Sequence, residues 1–185
     1  MPSTKEDYHN KLQNALVSAN LVLKALEHEI DGSEGEKRIN NAFGSRVDRA
    51  AVKKCIQKLT NPRNKLEFPH GAAVDHSVNA IAATNMADPG KGITFGTFFI
   101  GNTEEDNDMR VGTIIHEATH ALCGTVDWFD KHTFEPVDEV KDKTGNYHGY
   151  LDSNLKDLVR STGIQMHRNA DSYRVLAMKL EVPTV

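Results

Sequence analysis

Five consecutive residues, His116-Glu117-Ala118-Thr119-His120, constrain this chain more than any other stretch. Histidines four apart share one face of an α-helix, one turn above the other. Their imidazoles can then point at a single divalent metal ion, and Glu117, one residue round, reaches a water beside it. Val111, Ile114, Ile115, Ala118 and Leu122 recur at helical spacing around the pair, so this helix lies against a core. The spacing predicts a helix over about 108–122, with Asn107 or Asp108 as its N-cap and Gly124 as a left-handed C-terminal cap.

Two histidines do not complete a catalytic zinc site, which takes three protein ligands and leaves one position for water. The metzincin pattern wants Gly and His three and six residues after the second histidine, where this chain has Cys123 and Val126. Glu139 lies about as far along as the third ligand of thermolysin-like enzymes, but Pro136 and the lack of helical periodicity count against it. Asp127 is the better candidate. A turn at Gly124, in Gly124-Thr125-Val126-Asp127, would fold the chain back so that Asp127 meets the open side of a single Zn2+ ion.

The remaining sequence reads as one domain of 185 residues, α+β and mainly helical with few strands. Leu12, Leu16, Ala19, Leu23, Leu26 and Ile30 mark an amphipathic helix over Lys5 to Ile30, stopped by Asp31-Gly32-Ser33. A second is expected over Ser45 to Thr60, with Val47, Ala50, Ala51 and Leu59 inward and Asn61-Pro62 ending it. Residues 62–91 read as mostly irregular, with a helix conceivable over Val74 to Ala83. Ile93 to Ile100 is β-branched and aromatic, which predicts a strand; lying beside the metal helix, its edge could pair with an extended substrate backbone. Residues 124–150 read as a long functional loop, and two helices, near 152–161 and 167–180, end the chain.

A net charge of −4 gives no footprint for nucleic acid, and no apolar run is long enough to span a membrane. The first ten residues are polar, which argues against a secretory signal. Cys55 and Cys123, which could form one bridge, are expected instead as two buried thiols in a chain folded in a reducing compartment. Cytoplasmic synthesis follows, with export by a signal-independent route, or excision from a larger protein, left open.

Three motifs in order, H-E-x-x-H, Gly124-Thr125-Val126-Asp127 and Asn169-Ala170-Asp171-Ser172-Tyr173, resemble the aspzincin zinc metallopeptidases, the group of deuterolysins and peptidyl-Lys metalloendopeptidases. The resemblance covers roughly residues 92–180 and includes Gly112-Thr113-Ile114-Ile115; with neither a signal peptide nor disulfides expected, the chain reads as a bacterial member, unlike the secreted fungal ones. It implies a zincin-like domain in which His116, His120 and Asp127 bind zinc and Glu117 is the catalytic carboxylate. It makes Asp171 the acceptor that orients a ligand histidine through its other ring nitrogen, or else the third ligand itself. The family carries a tyrosine three residues after the ligand aspartate, where this chain has Asp130; Tyr147 or Tyr150 could replace it.

The implied reaction is peptide-bond hydrolysis, with a polypeptide as partner. Glu104, Glu105, Asp106 and Asp130 offer carboxylates to a basic substrate side chain, in keeping with the family's preference for lysine. An effector or toxin role, an inhibitor or immunity partner and a monomeric state complete this expectation. The alternative is a zinc-binding module of the same fold that has lost turnover and serves to bind protein.

Overall fold

The computed structural model describes residues 5–62, 82–84, 93–95, 106–130, 132–137, 147–148 and 163–179. Three helices come first: α1 (Lys5–Glu29), α2 (Ser33–Phe43) and α3 (Arg49–Thr60). All six apolar positions read from the α1 pattern, Leu12 through Ile30, are buried.

The second of these helices was not anticipated from the sequence, because it buries few side chains, chiefly Ile39, Ala42 and Phe43. What permits it is Gly35. A Cβ there would lie 2.5 Å from Ile30 Cα, so only glycine lets α2 start hard against the end of α1. Helix α3 begins later than expected, because the Asp48 carboxylate caps it by accepting from Ala51 N at 3.0 Å. Its inward face is Val52, Cys55, Ile56 and Leu59. Val47 is buried ahead of the helix, whereas Ala50 is exposed and Ala51 half-buried, so those two were placed on the wrong face.

The strands are short. β1 (Ala82–Thr84) and β2 (Ile93–Phe95) pair antiparallel, Ala83 opposite Thr94. β1 replaces the end of the helix expected over Val74 to Ala83, whose residues 74–81 lie outside the described residues. In β2, Ile93 and Phe95 are buried and Thr94 half-buried, the alternation of a one-sided strand. The rest of the expected strand, to Ile100, is outside the described residues. Among these, β1 is the strand that packs against the next helix, α4 (Asp106–Cys123).

Helix α4 starts at Asp106, which puts Asn107 and Asp108 in its first turn and not at its cap. It is the hub of the molecule: α1, α3 and β1 pack on it, as does the last helix, α5 (Ala170–Ala177). It ends at Gly124, whose φ of 66° is the predicted left-handed cap. Among the described residues of the stretch read as a long loop, short segments form a small antiparallel sheet ordered β4-β3-β5, from β3 (Trp128–Asp130), β4 (Pro136–Val137) and β5 (Tyr147–His148). Phe129 of β3 is fully buried in the main core.

A 3-10 helix, Gly163–Arg168, leads into α5, which is shorter than expected. It closes with Met178 N donating to Arg174 O, and Lys179 then adopts a positive φ of 54°. The helix expected near 152–161 lies outside the described residues. The architecture is mainly helical with small strands, a loose α+β class. Among the described residues no helix is long and apolar enough to cross a membrane.

Cys55 of α3 and Cys123 at the end of α4 are joined by a disulfide, with Cα atoms 5.6 Å apart. The expectation of two free thiols is therefore corrected. Packing of α3 on α4 brings together cysteines 68 residues apart, which no local pattern could announce. Such bonds persist in oxidising surroundings, unlike the reducing compartment expected from free thiols.

Candidate metal centre

His116 and His120 project from one face of α4, and both are buried. Asp127 reaches them because of how the chain leaves the helix. After the turn at Gly124, Val126 forms a parallel bridge with Asn169: Val126 N donates to Arg168 O at 2.8 Å, and Ala170 N to Val126 O at 3.2 Å. This short pairing pins residues 125–127 beside the start of α5. Asn169 caps α5 by accepting from Ser172 N at 2.8 Å, which sets Asp171 in the first turn, facing α4. The Asn-Ala-Asp-Ser-Tyr motif thus has a structural meaning: cap, spacer, carboxylate and anchor. Tyr173 donates to His167 O at 2.9 Å and packs edge-on against Phe43.

Three atoms converge. His116 Nε2 lies 3.0 Å from Asp127 Oδ1, His120 Nε2 lies 3.1 Å from the same oxygen, and the two Nε2 atoms are 3.1 Å apart. The other ring nitrogens fix the tautomers. His120 Nδ1 is 2.8 Å from Thr125 O, a carbonyl that only accepts, so Nδ1 carries the hydrogen. His116 Nδ1 donates to Asp171 Oδ1 at 2.9 Å. In the neutral rings both Nε2 lone pairs therefore face each other and a carboxylate. A shared cation resolves that opposition. Tetrahedral ligands bonded at about 2.0–2.1 Å are spaced by about 3.3 Å, close to the observed triangle. The group His116, His120 and Asp127 could hold a metal ion, and its two-nitrogen, one-oxygen donor set suits zinc.

The electrostatics agree. Burial alone would lower the pKa of His116, but hydrogen bonds to Asp127 and Asp171, and their charges, outweigh it and raise the value to about 10. Without a metal the ring keeps a proton between two carboxylates; a bound cation would take the place of that proton. Burial would raise the pKa of Asp127, yet the hydrogen bonds and charges of His116 and His120 hold it well below the usual carboxylate range.

Glu117 is buried on the same helix, one residue round from His116. Asp171 lies on the Nδ1 side of His116, away from the three converging atoms, which is where an orienting acceptor belongs. Asp130 is engaged elsewhere: its carboxylate accepts from His132 N and Thr133 N, both at 2.8 Å, closing a turn and lowering its pKa. The register of β3 with β5 sets Tyr147 opposite Asp130. Tyr150, Glu104 and Glu105 lie outside the described residues, and Asp106 is the first residue of α4.

Sequence reading missed Thr119 and Thr125. The Thr119 hydroxyl donates to His116 O and sits 2.7 Å from the Thr125 hydroxyl, locking the returning chain to the helix. Their signal was present in the Thr of H-E-x-T-H and of Gly-Thr-Val-Asp, but only the fold shows them meeting.

No protein-family model matches the chain and no curated protein does, so the aspzincin resemblance stands on its three motifs alone.

Proposed function

We propose that the protein is a zinc-dependent endopeptidase of the aspzincin type, with a zincin-like domain. The observation that carries this reading is the triangle of His116, His120 and Asp127 with buried Glu117 beside it. A zinc ion held there supplies Lewis acidity toward a water and toward the scissile carbonyl. The residues do the rest. Asp171 and Thr125 accept the Nδ1 hydrogens of His116 and His120, which turns each Nε2 toward the ion. Glu117 accepts the proton of the attacking water and passes it to the leaving amine as the carbon–nitrogen bond breaks. The oxyanion-steadying role we assign to Tyr147, whose backbone pairs with Asp130 in the β3–β5 register.

The test is Glu117→Gln beside the parent, with casein as substrate. The variant should retain one zinc per chain while cleavage falls by about 10²-fold or more; a chelator should stop the parent and added zinc restore it. Equal cleavage by Glu117→Gln would refute the mechanism. One observation favours a second reading, a zinc-binding module without turnover: Asp130 replaces the tyrosine and spends its carboxylate on a turn. A parent that binds zinc tightly and leaves casein intact would establish that alternative.

A further inference from the structure

The carboxylate that orients His116 is itself held from behind. Asp171 Oδ1, the oxygen that accepts from His116 Nδ1, lies 3.3 Å from Arg174 Nε, one turn further along α5. The Nε–H is not aligned on that oxygen as a hydrogen bond, so the contact is one of charge and position. Asp171 is 3% exposed, and a carboxylate so buried needs a countercharge. A neutral His116 bound to metal offers a hydrogen but no charge. Arg174 adds a positive charge beside the carboxylate.

Arg174 reaches this place through a slot in the metal helix. A Cβ on Gly112 would lie 3.0 Å from Arg174 Cγ and 3.2 Å from Cδ, so the arginine stem runs across α4 where a side chain is missing. Gly112 is four residues before His116, hence one turn away on the same face. Gly112, Arg174, Asp171 and His116 thus form a continuous stack ending at the metal-facing Nε2.

We propose that Arg174, seated over Gly112, is a positioning residue of the metal centre: it holds Asp171 against His116 Nδ1 and so aims His116 Nε2 at the shared cation. This rests on the metal reading above, which the parent chain tests independently by binding zinc or not. The experiment compares zinc dissociation constants, the visible spectrum of the cobalt-substituted protein and metal-free melting temperatures for the parent, Arg174→Met, Arg174→Lys and Gly112→Ala. Arg174→Met keeps the apolar stem without the charge. It should weaken zinc binding about tenfold, as loss of groups behind a metal ligand does, and alter the cobalt spectrum while metal-free melting stays near the parent's. Arg174→Lys should restore most of the affinity, and Gly112→Ala, by displacing the stem, should imitate Arg174→Met. Parent-like zinc affinity and cobalt spectrum in Arg174→Met or Gly112→Ala overturn the proposal, as does an Arg174→Lys no better than Arg174→Met. If Arg174→Met does not fold, the Gly112→Ala affinity decides. A parent that binds no zinc removes the metal centre and this role together.

Discussion

Asp171 accepts a hydrogen bond from His116 while almost wholly excluded from solvent, so truncating it leaves a buried donor without its acceptor. Asp171→Ala should lower zinc affinity by about 10- to 100-fold, read by competition with a coloured chelator. A loss far beyond that range would instead mark Asp171 as a direct ligand. At this scale the sequence was most informative where partners are close in the chain. His116 and His120 are one helical turn apart, and Asp127 follows across a single glycine turn, so spacing alone could pair them. Arg174 escaped notice because its role depends on an absent side chain at Gly112, 62 positions earlier, and nothing about a lone helical arginine signals that. Thr125 escaped because its hydroxyl meets Thr119 only once the chain folds back, and its backbone carbonyl, which holds His120, is common to every residue type.

Among the elements, α4 and its exit were the best foretold, since an apolar stripe, a histidine pair and a terminal glycine all agree. Gly124 offers a clean test of that exit. Its φ is 66°, and a Cβ there would meet nothing within 4 Å, so substitution costs conformation and no packing. Gly124→Ala should destabilise the protein by about 1–2 kcal/mol in urea unfolding, the cost of placing an L-residue in the left-handed region. A neutral effect would mean that the turn relaxes without loss. Helix α2 was invisible for the opposite reason: its sequence, Ser33–Phe43, is mostly charged or polar, and it is held by packing on α5, with Gly35 letting it start close against the end of α1. The strands β3, β4 and β5, of two or three residues each, are too short to show a period of two. They are defined by pairing across the chain, so the region between Gly124 and Tyr150 read as a loop.

For the whole molecule, one core joins the N-terminal helices to the metal helix, from Leu12 on α1 to Leu176 on α5. The Cys55–Cys123 disulfide reinforces that union, closing a loop of 68 residues. Restricting the unfolded chain by a loop of this size stabilises the fold by about 4 kcal/mol on the chain-entropy account. The Cys55→Ala/Cys123→Ala double variant should lose stability of that order in denaturant unfolding compared with the oxidised parent. A difference under about 1 kcal/mol would show that α3 and α4 are fixed by packing alone. The topology of this bond has a further effect. A protease that nicks the backbone once anywhere between the bridged cysteines releases no fragment: both pieces stay tethered and migrate as a single band on a gel until a thiol is added. Self-digestion within that span would thus go unseen unless samples were run with reductant.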